Sequence, residues 1–127
     1  MKPESADAIA RARAILEEAE YLLSGSYWAA AASRSYYAMF HAAKSVLNEM
    51  DVERSSHHAV IGTFGEFVVK PGLADRQLQK YLLDAFSLRS ESDYTVPPPV
   101  TEERARNAAA YAKLFVVFCE KLLEQSP

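Results

Sequence analysis

The stretch from Ser26 to Met50, SYWAAAASRSYYAMFHAAKSVLNEM, limits the possible folds most sharply. No Pro or Gly interrupts it, and Ala29, Ala30, Ala31 and Ala32 give it high helix propensity, so it reads as one long helix. A helix lying on a protein surface carries one apolar stripe and one charged face. Here Trp28, Tyr36, Tyr37, Met39, Phe40, Val46 and Leu47 spread around most of the circumference. Such a helix is satisfied only when other helices surround it. The exceptions are Arg34, His41 and Asn48, which recur every seven residues. Seven residues make about two turns, so they form one narrow polar seam. Either the seam faces a cleft or subunit boundary, or Arg34 meets a carboxylate of the bundle and His41 is a satisfied core histidine.

The surrounding helices can be read in order. Residues 5–24 repeat apolar side chains at Ala8, Ala12, Ile15, Ala19 and Leu22, with Ser5 as the expected N-cap. Gly25 ends this helix and Ser26 is placed to cap the next, so the two form an antiparallel hairpin. A third helix is expected from about His57 to Lys70, with Gly62 and Gly65 thinning one side for close backbone approach. His57 and His58 point about 100° apart on a helix and lack the spacing of a metal site. They are read as capping the helix start or facing solvent. The fourth helix spans roughly Asp75 to Ser92, before the extended Pro97-Pro98-Pro99 loop. The fifth starts after Thr101, a good N-cap followed by Glu102 and Glu103, and keeps its spacing through Ala105, Ala108, Ala112, Phe115, Cys119 and Leu122. The expectation is an all-α fold, a four- to five-helix up-and-down antiparallel bundle forming a single domain over residues 1–127.

Composition narrows the function classes. Half the residues are apolar and the net charge is −3, which excludes disorder and a bulk polycation. Any nucleic acid must therefore be met at a confined site. The single cysteine, Cys119, excludes an internal disulfide and lies in an apolar helical run, so it reads as a small buried hydrophobe. No apolar run approaches bilayer-spanning length and the N-terminus lacks a signal-peptide core, so the chain is expected to be cytoplasmic, away from membranes. The densest chemistry is Arg89-Ser90-Glu91-Ser92-Asp93-Tyr94, at a helix end before a constrained loop. It either forms a site or neutralises the helix dipole and turns the chain.

The run Ser33-Arg34-Ser35-Tyr36-Tyr37-Ala38-Met39-Phe40-His41-Ala42-Ala43, then His57 or His58, then Arg89 with Asp93-Tyr94, resembles the HEPN (higher eukaryotes and prokaryotes nucleotide-binding) superfamily. The likeness is to its small stand-alone prokaryotic branch, UPF0332-like, and covers nearly the whole chain. It implies a helical bundle, often a homodimer, commonly paired with a nucleotidyltransferase in a toxin–antitoxin-type module. It also implies a metal-independent ribonuclease, or an RNA or nucleotide binder, needing no cofactor. The family signature is an arginine, often followed by a polar residue, and a histidine about four to six residues further on. Arg89 and Ser90 occupy the expected place, but Tyr94 stands where the histidine would. Tyrosine titrates near 10 and is a poor base at neutral pH. Arg34 and His41 match the spacing in mid-helix. Arg89, Asp93, Tyr94 and His41 are thus the catalytic candidates, with Arg34, Arg89 and Ser90 as phosphate or nucleotide ligands. The alternative is a non-catalytic binding or adaptor dimer that has lost the histidine.

Overall fold

The structure, a computed structural model, describes residues 1–94 and 100–125, without the side chains of Ser92 and Tyr94. The expected Pro97-Pro98-Pro99 loop lies outside the described residues. Among the described residues five α-helices follow in order: α1 Pro3–Ser24, α2 Trp28–Glu49, α3 His57–Phe64, α4 Arg76–Tyr94 and α5 Glu102–Glu124. A π-helical turn, Gly65–Val69, continues α3. The expected all-α bundle is borne out.

Two of the expected caps are corrected. Helix α1 begins at Pro3, whose fixed φ suits the first helical position, so Lys2 is the N-cap. Ser5 is therefore inside the helix and fully buried, and its Oγ has no hydrogen-bond partner among the described residues. Ser26 does not cap α2 either. Its φ of 64° reverses the chain, and Tyr27 takes the N-cap position. Gly25 beside it has an ordinary φ of −93°. Its lack of a side chain matters because a Cβ there would lie 2.8 Å from the Tyr27 ring. By contrast, Thr101 caps α5 as expected, accepting a 3.2 Å hydrogen bond from the Arg104 amide.

Helix α2 is the axle of the bundle, packing against α1, α3, α4 and α5. Its alanines Ala31, Ala38, Ala42 and Ala43 are fully buried, as are Ala12 and Ala19 of α1 and Ala105 and Ala112 of α5. Small side chains let these backbones approach closely, while Tyr36, Met39, Leu47, Phe64, Leu82, Phe115 and Val116 fill the remaining core. An Arg13–Glu120 ion pair ties α1 to α5. Cys119 is fully buried and burial pushes its thiol well above the ordinary range, so it acts as packing. Among the described residues no helix is long and apolar enough to cross a membrane.

The glycines of α3 do not admit a neighbouring backbone as expected. Gly62 is exposed, with open space where a Cβ would stand. Gly65 instead faces the Gln79 side-chain amide, 3.0 Å from where its Cβ would be. That amide donates a 3.1 Å hydrogen bond to the Ile61 carbonyl, beside the point where the helix widens into its π turn.

Candidate functional site

Helices α2, α3 and α4 bring their aromatic residues to one place. Tyr36 and Phe40 lie four residues apart on α2, with Tyr37 beside Tyr36, while α4 contributes Phe86. Into this group α3 inserts His57 from its first turn. Its ring centroid is 5.0 Å from Phe40, 5.5 Å from Tyr36, 5.8 Å from Phe86 and 5.9 Å from Tyr37. The fully buried Tyr36 hydroxyl lies 2.6 Å from His57 Nδ1. His58, on the exposed side, meets the edge of Phe86.

The cations gather around Tyr37. The Arg89 guanidinium carbon is 5.4 Å from the Tyr37 ring centroid and that of Arg34 is 5.7 Å from the same ring. Arg89 Nε is 3.0 Å from Asp93 Oδ2, one turn further along α4, and this pair orients the guanidinium. The carboxylate near Arg34 is Glu18 of α1, at 3.8 Å, with both side chains about half exposed (42% and 54%). So loose and exposed a pair adds little stability and leaves Arg34 able to meet an incoming anion.

Burial pushes the Tyr36 phenol well above its ordinary value of 10, helped by neighbouring Tyr37 and opposed by Arg89. His57 is pulled below 6.5, first by burial, then by the charge of Arg89 and by His58. His41 falls further, to about 4, through burial and then Arg11, Lys44 and Arg34. Both histidines are therefore neutral at pH 7.

Of the candidates taken from sequence, Arg89, Asp93 and Arg34 come together around Tyr37. Ser90 follows Arg89 on α4 and is half-buried. His41 sits in the seam facing α1, with Arg11, Lys44 and Arg34 as the cations acting on it. The Tyr94 side chain lies outside the described residues. Sequence reading missed His57. Ser56 caps α3 through a 3.1 Å bond from the Ala59 amide, which leaves His57 to turn inward. A signal was available, because residues 57, 61, 64 and 68 share one helical stripe and the last three are buried apolar residues. A cavity of about 380 Å³ lies on another face of α4, against α5. It is lined by stacked Tyr81 and Tyr111 and by the 3.1 Å Arg104–Glu91 pair.

Comparison with known proteins agrees with the family resemblance. A family model described as the HEPN domain matches residues 5–122. A Methanocaldococcus jannaschii protein named "Putative toxin MJ0605" is 32% identical over 110 residues, covering 87% of this chain and 81% of its own length. A UPF0332 protein of Thermotoga maritima is 31% identical over 114 residues, 90% of this chain and 86% of that protein. A UPF0332 protein of Gloeobacter violaceus is 34% identical over 94 residues, 74% of this chain and 75% of that protein.

Proposed function

The chain belongs to the HEPN domain family, and from that premise we propose that it is a toxin-like HEPN protein acting on RNA in the cytoplasm as a metal-independent ribonuclease. The observation that supports this best is the pair of guanidinium groups over one ring, Arg89 and Arg34 on Tyr37. A planar guanidinium matches the two oxygens of a phosphodiester, and two cations suit the charge that develops on phosphorus during cleavage. Asp93 holds Arg89 in place for that role. The relative named "Putative toxin MJ0605" supports the toxin part of this reading; the wider setting, a toxin–antitoxin-type module with a nucleotidyltransferase partner protein, is what the family resemblance implies. In this reading the protein is a homodimer whose two Arg89 sites share a cleft.

A second reading, RNA or nucleotide binding without cleavage, is favoured by Tyr94 at the position where the family signature places histidine. Cleavage needs a base for the 2′-hydroxyl as well as a cation for the phosphate.

One experiment tests both. Purified protein is incubated with single-stranded RNA in EDTA, beside Arg89→Ala and beside Arg104→Ala, whose side chain lines the opposite cavity. Losing a charged hydrogen bond to phosphate is expected to weaken RNA binding by roughly 10- to 100-fold in Arg89→Ala. Arg104→Ala should bind as the unmodified protein does. RNA fragments produced in EDTA and absent with Arg89→Ala support the ribonuclease. Binding without fragments supports the second reading. A folded Arg89→Ala that binds RNA unchanged removes the site from both.

A further inference from the structure

We infer that His57, held by Tyr36 with its outer ring nitrogen protonated, is a second ligand for the phosphate that Arg89 binds. This inference rests on the phosphate site proposed above and adds a residue that the family signature does not supply.

The Tyr36 hydroxyl and His57 Nδ1 lie 2.6 Å apart. A neutral imidazole carries one N–H, so the contact has two possible polarities. The Tyr36 hydroxyl is fully buried, and its phenol keeps its proton. Were Nδ1 to donate instead, the phenolic O–H would need another acceptor inside the core. Among the described residues the one hydrogen-bond partner of this hydroxyl is His57 Nδ1, and the Tyr36 ring is packed against those of Tyr37, Phe40 and Phe86. An unpaired buried O–H is costly, so Tyr36 donates to Nδ1 and the ring proton resides on Nε2.

This tautomer decides the chemistry. With Nδ1 occupied and Nε2 already protonated, neither nitrogen is free to take a proton from a 2′-hydroxyl. Nor is Nε2–H a good acid, since its loss would leave an imidazolate or draw a proton from the buried phenol. What remains is a neutral donor fixed in direction by the aromatic rings around it. Arg89 and His57 both border Tyr37 and the Arg89 charge acts on the imidazole, which puts the two groups near enough to share one anion. A guanidinium and a neutral N–H together match a phosphodiester, which shares one negative charge between two non-bridging oxygens and carries no proton of its own. Tyr36 is then a positioning residue, acting through His57.

The test uses the full-length protein labelled with ¹⁵N-histidine. Long-range ¹H–¹⁵N spectra identify the tautomer of each ring nitrogen, and adenosine 3′-monophosphate is the added probe. His57 is expected in the Nε2–H form, with its Nε2 signal shifting as the nucleotide binds. Tyr36→Phe keeps the ring and removes the hydroxyl, so the two tautomers should mix and affinity should fall several-fold. His57→Ala should weaken binding about tenfold, while His57→Gln, whose amide can donate from the outer position, should recover much of it. In Arg89→Ala the tautomer should persist without the nucleotide-dependent shift. Nucleotide bound through Arg89 with His57 signals unmoved and His57→Ala at full affinity would overturn the inference and leave the phosphate site standing. A His57 found in the Nδ1–H form would overturn it as well. Nucleotide that binds neither the unmodified protein nor Arg89→Ala removes the phosphate site and the inference with it.

Discussion

Phe115→Ala is expected to cost the bundle roughly 3–5 kcal/mol, the largest stability loss of any change considered. Phe115 is fully buried on α5, its ring centroid 5.2 Å from that of Phe64 on α3. Truncation removes the transfer energy of an aromatic ring and leaves a cavity beneath α3. The rigid alanine-lined contacts around α2 have little freedom to close it. Denaturant unfolding at pH 7 measures the loss. Phe67→Ala is the control, because that side chain is 37% exposed and lies outside the buried core. A loss below about 1 kcal/mol for Phe115→Ala would mean that the core refills around α5 and is softer than its packing implies.

The second large effect is a pH dependence carried by His41. Burial, followed by Arg11, Lys44 and Arg34, lowers its folded-state value to about 4. In the unfolded chain it titrates near 6.5. As pH falls, the unfolded chain takes the proton first. The stability that neutral His41 contributes is therefore complete above about 6.5 and is lost as pH drops from there towards 4. Taken whole, the shift corresponds to about 3 kcal/mol; since the side chain is only half-buried and screened by solvent, about 1–2 kcal/mol is expected. Carboxylates titrate over the lower part of this range, so the measurement is a difference. Unfolding free energies at pH 7 and pH 4.5 should fall by about 1–2 kcal/mol more in the unmodified protein than in His41→Gln. Parallel pH profiles would show that His41 is solvated in the folded state. The same lowering makes His41 a weak base at neutral pH, because basicity falls with pKa.

Much of the bundle could be read from the chain. The wide apolar circumference of the Ser26–Met50 run required neighbours on nearly all sides, and α2 has them. Thr101 with its two glutamates marked the start of α5 correctly, since a cap depends on a few adjacent residues. Ser5 and Ser26 were misread although serine is a favoured cap, for two separate physical reasons. Pro3 started α1 earlier, and the short α1–α2 connection needed a left-handed residue more than it needed a cap. The π turn left no clear trace, because widening by one residue depends on tertiary contacts such as Gln79 on Ile61.

The site divided along the same line. Arg89 and Asp93 are one turn apart on α4, and Arg34 lies one turn before Tyr37 on α2, so helical spacing alone brings each pair together, but not Arg89 over Tyr37, which is a contact between the two helices. The Tyr36–His57 hydrogen bond joins two helices across the core, and no local spacing encodes which side chains meet there. The inward stripe 57, 61, 64, 68 placed His57 on the buried face without naming its partner.

Helix α3 contributes eight residues and its π turn five more, a segment only about as long as the roughly 12–15 residues at which an isolated helix is marginal in water. Its order is borrowed from the Tyr36 hydroxyl at one end and the Phe115 ring near the other. We therefore expect α3 to open as a unit at a smaller cost than α1, α2 and α5. Each such opening carries His57 away from Arg89 and leaves the rest of the helices standing. Native-state hydrogen exchange should show it, with α3 amides exchanging at a lower free energy than those of α2; equal protection in both would mean that the short helix opens only when everything does. Any ligand spanning Arg89 and His57 then works as a latch, its binding energy spent partly on keeping α3 closed.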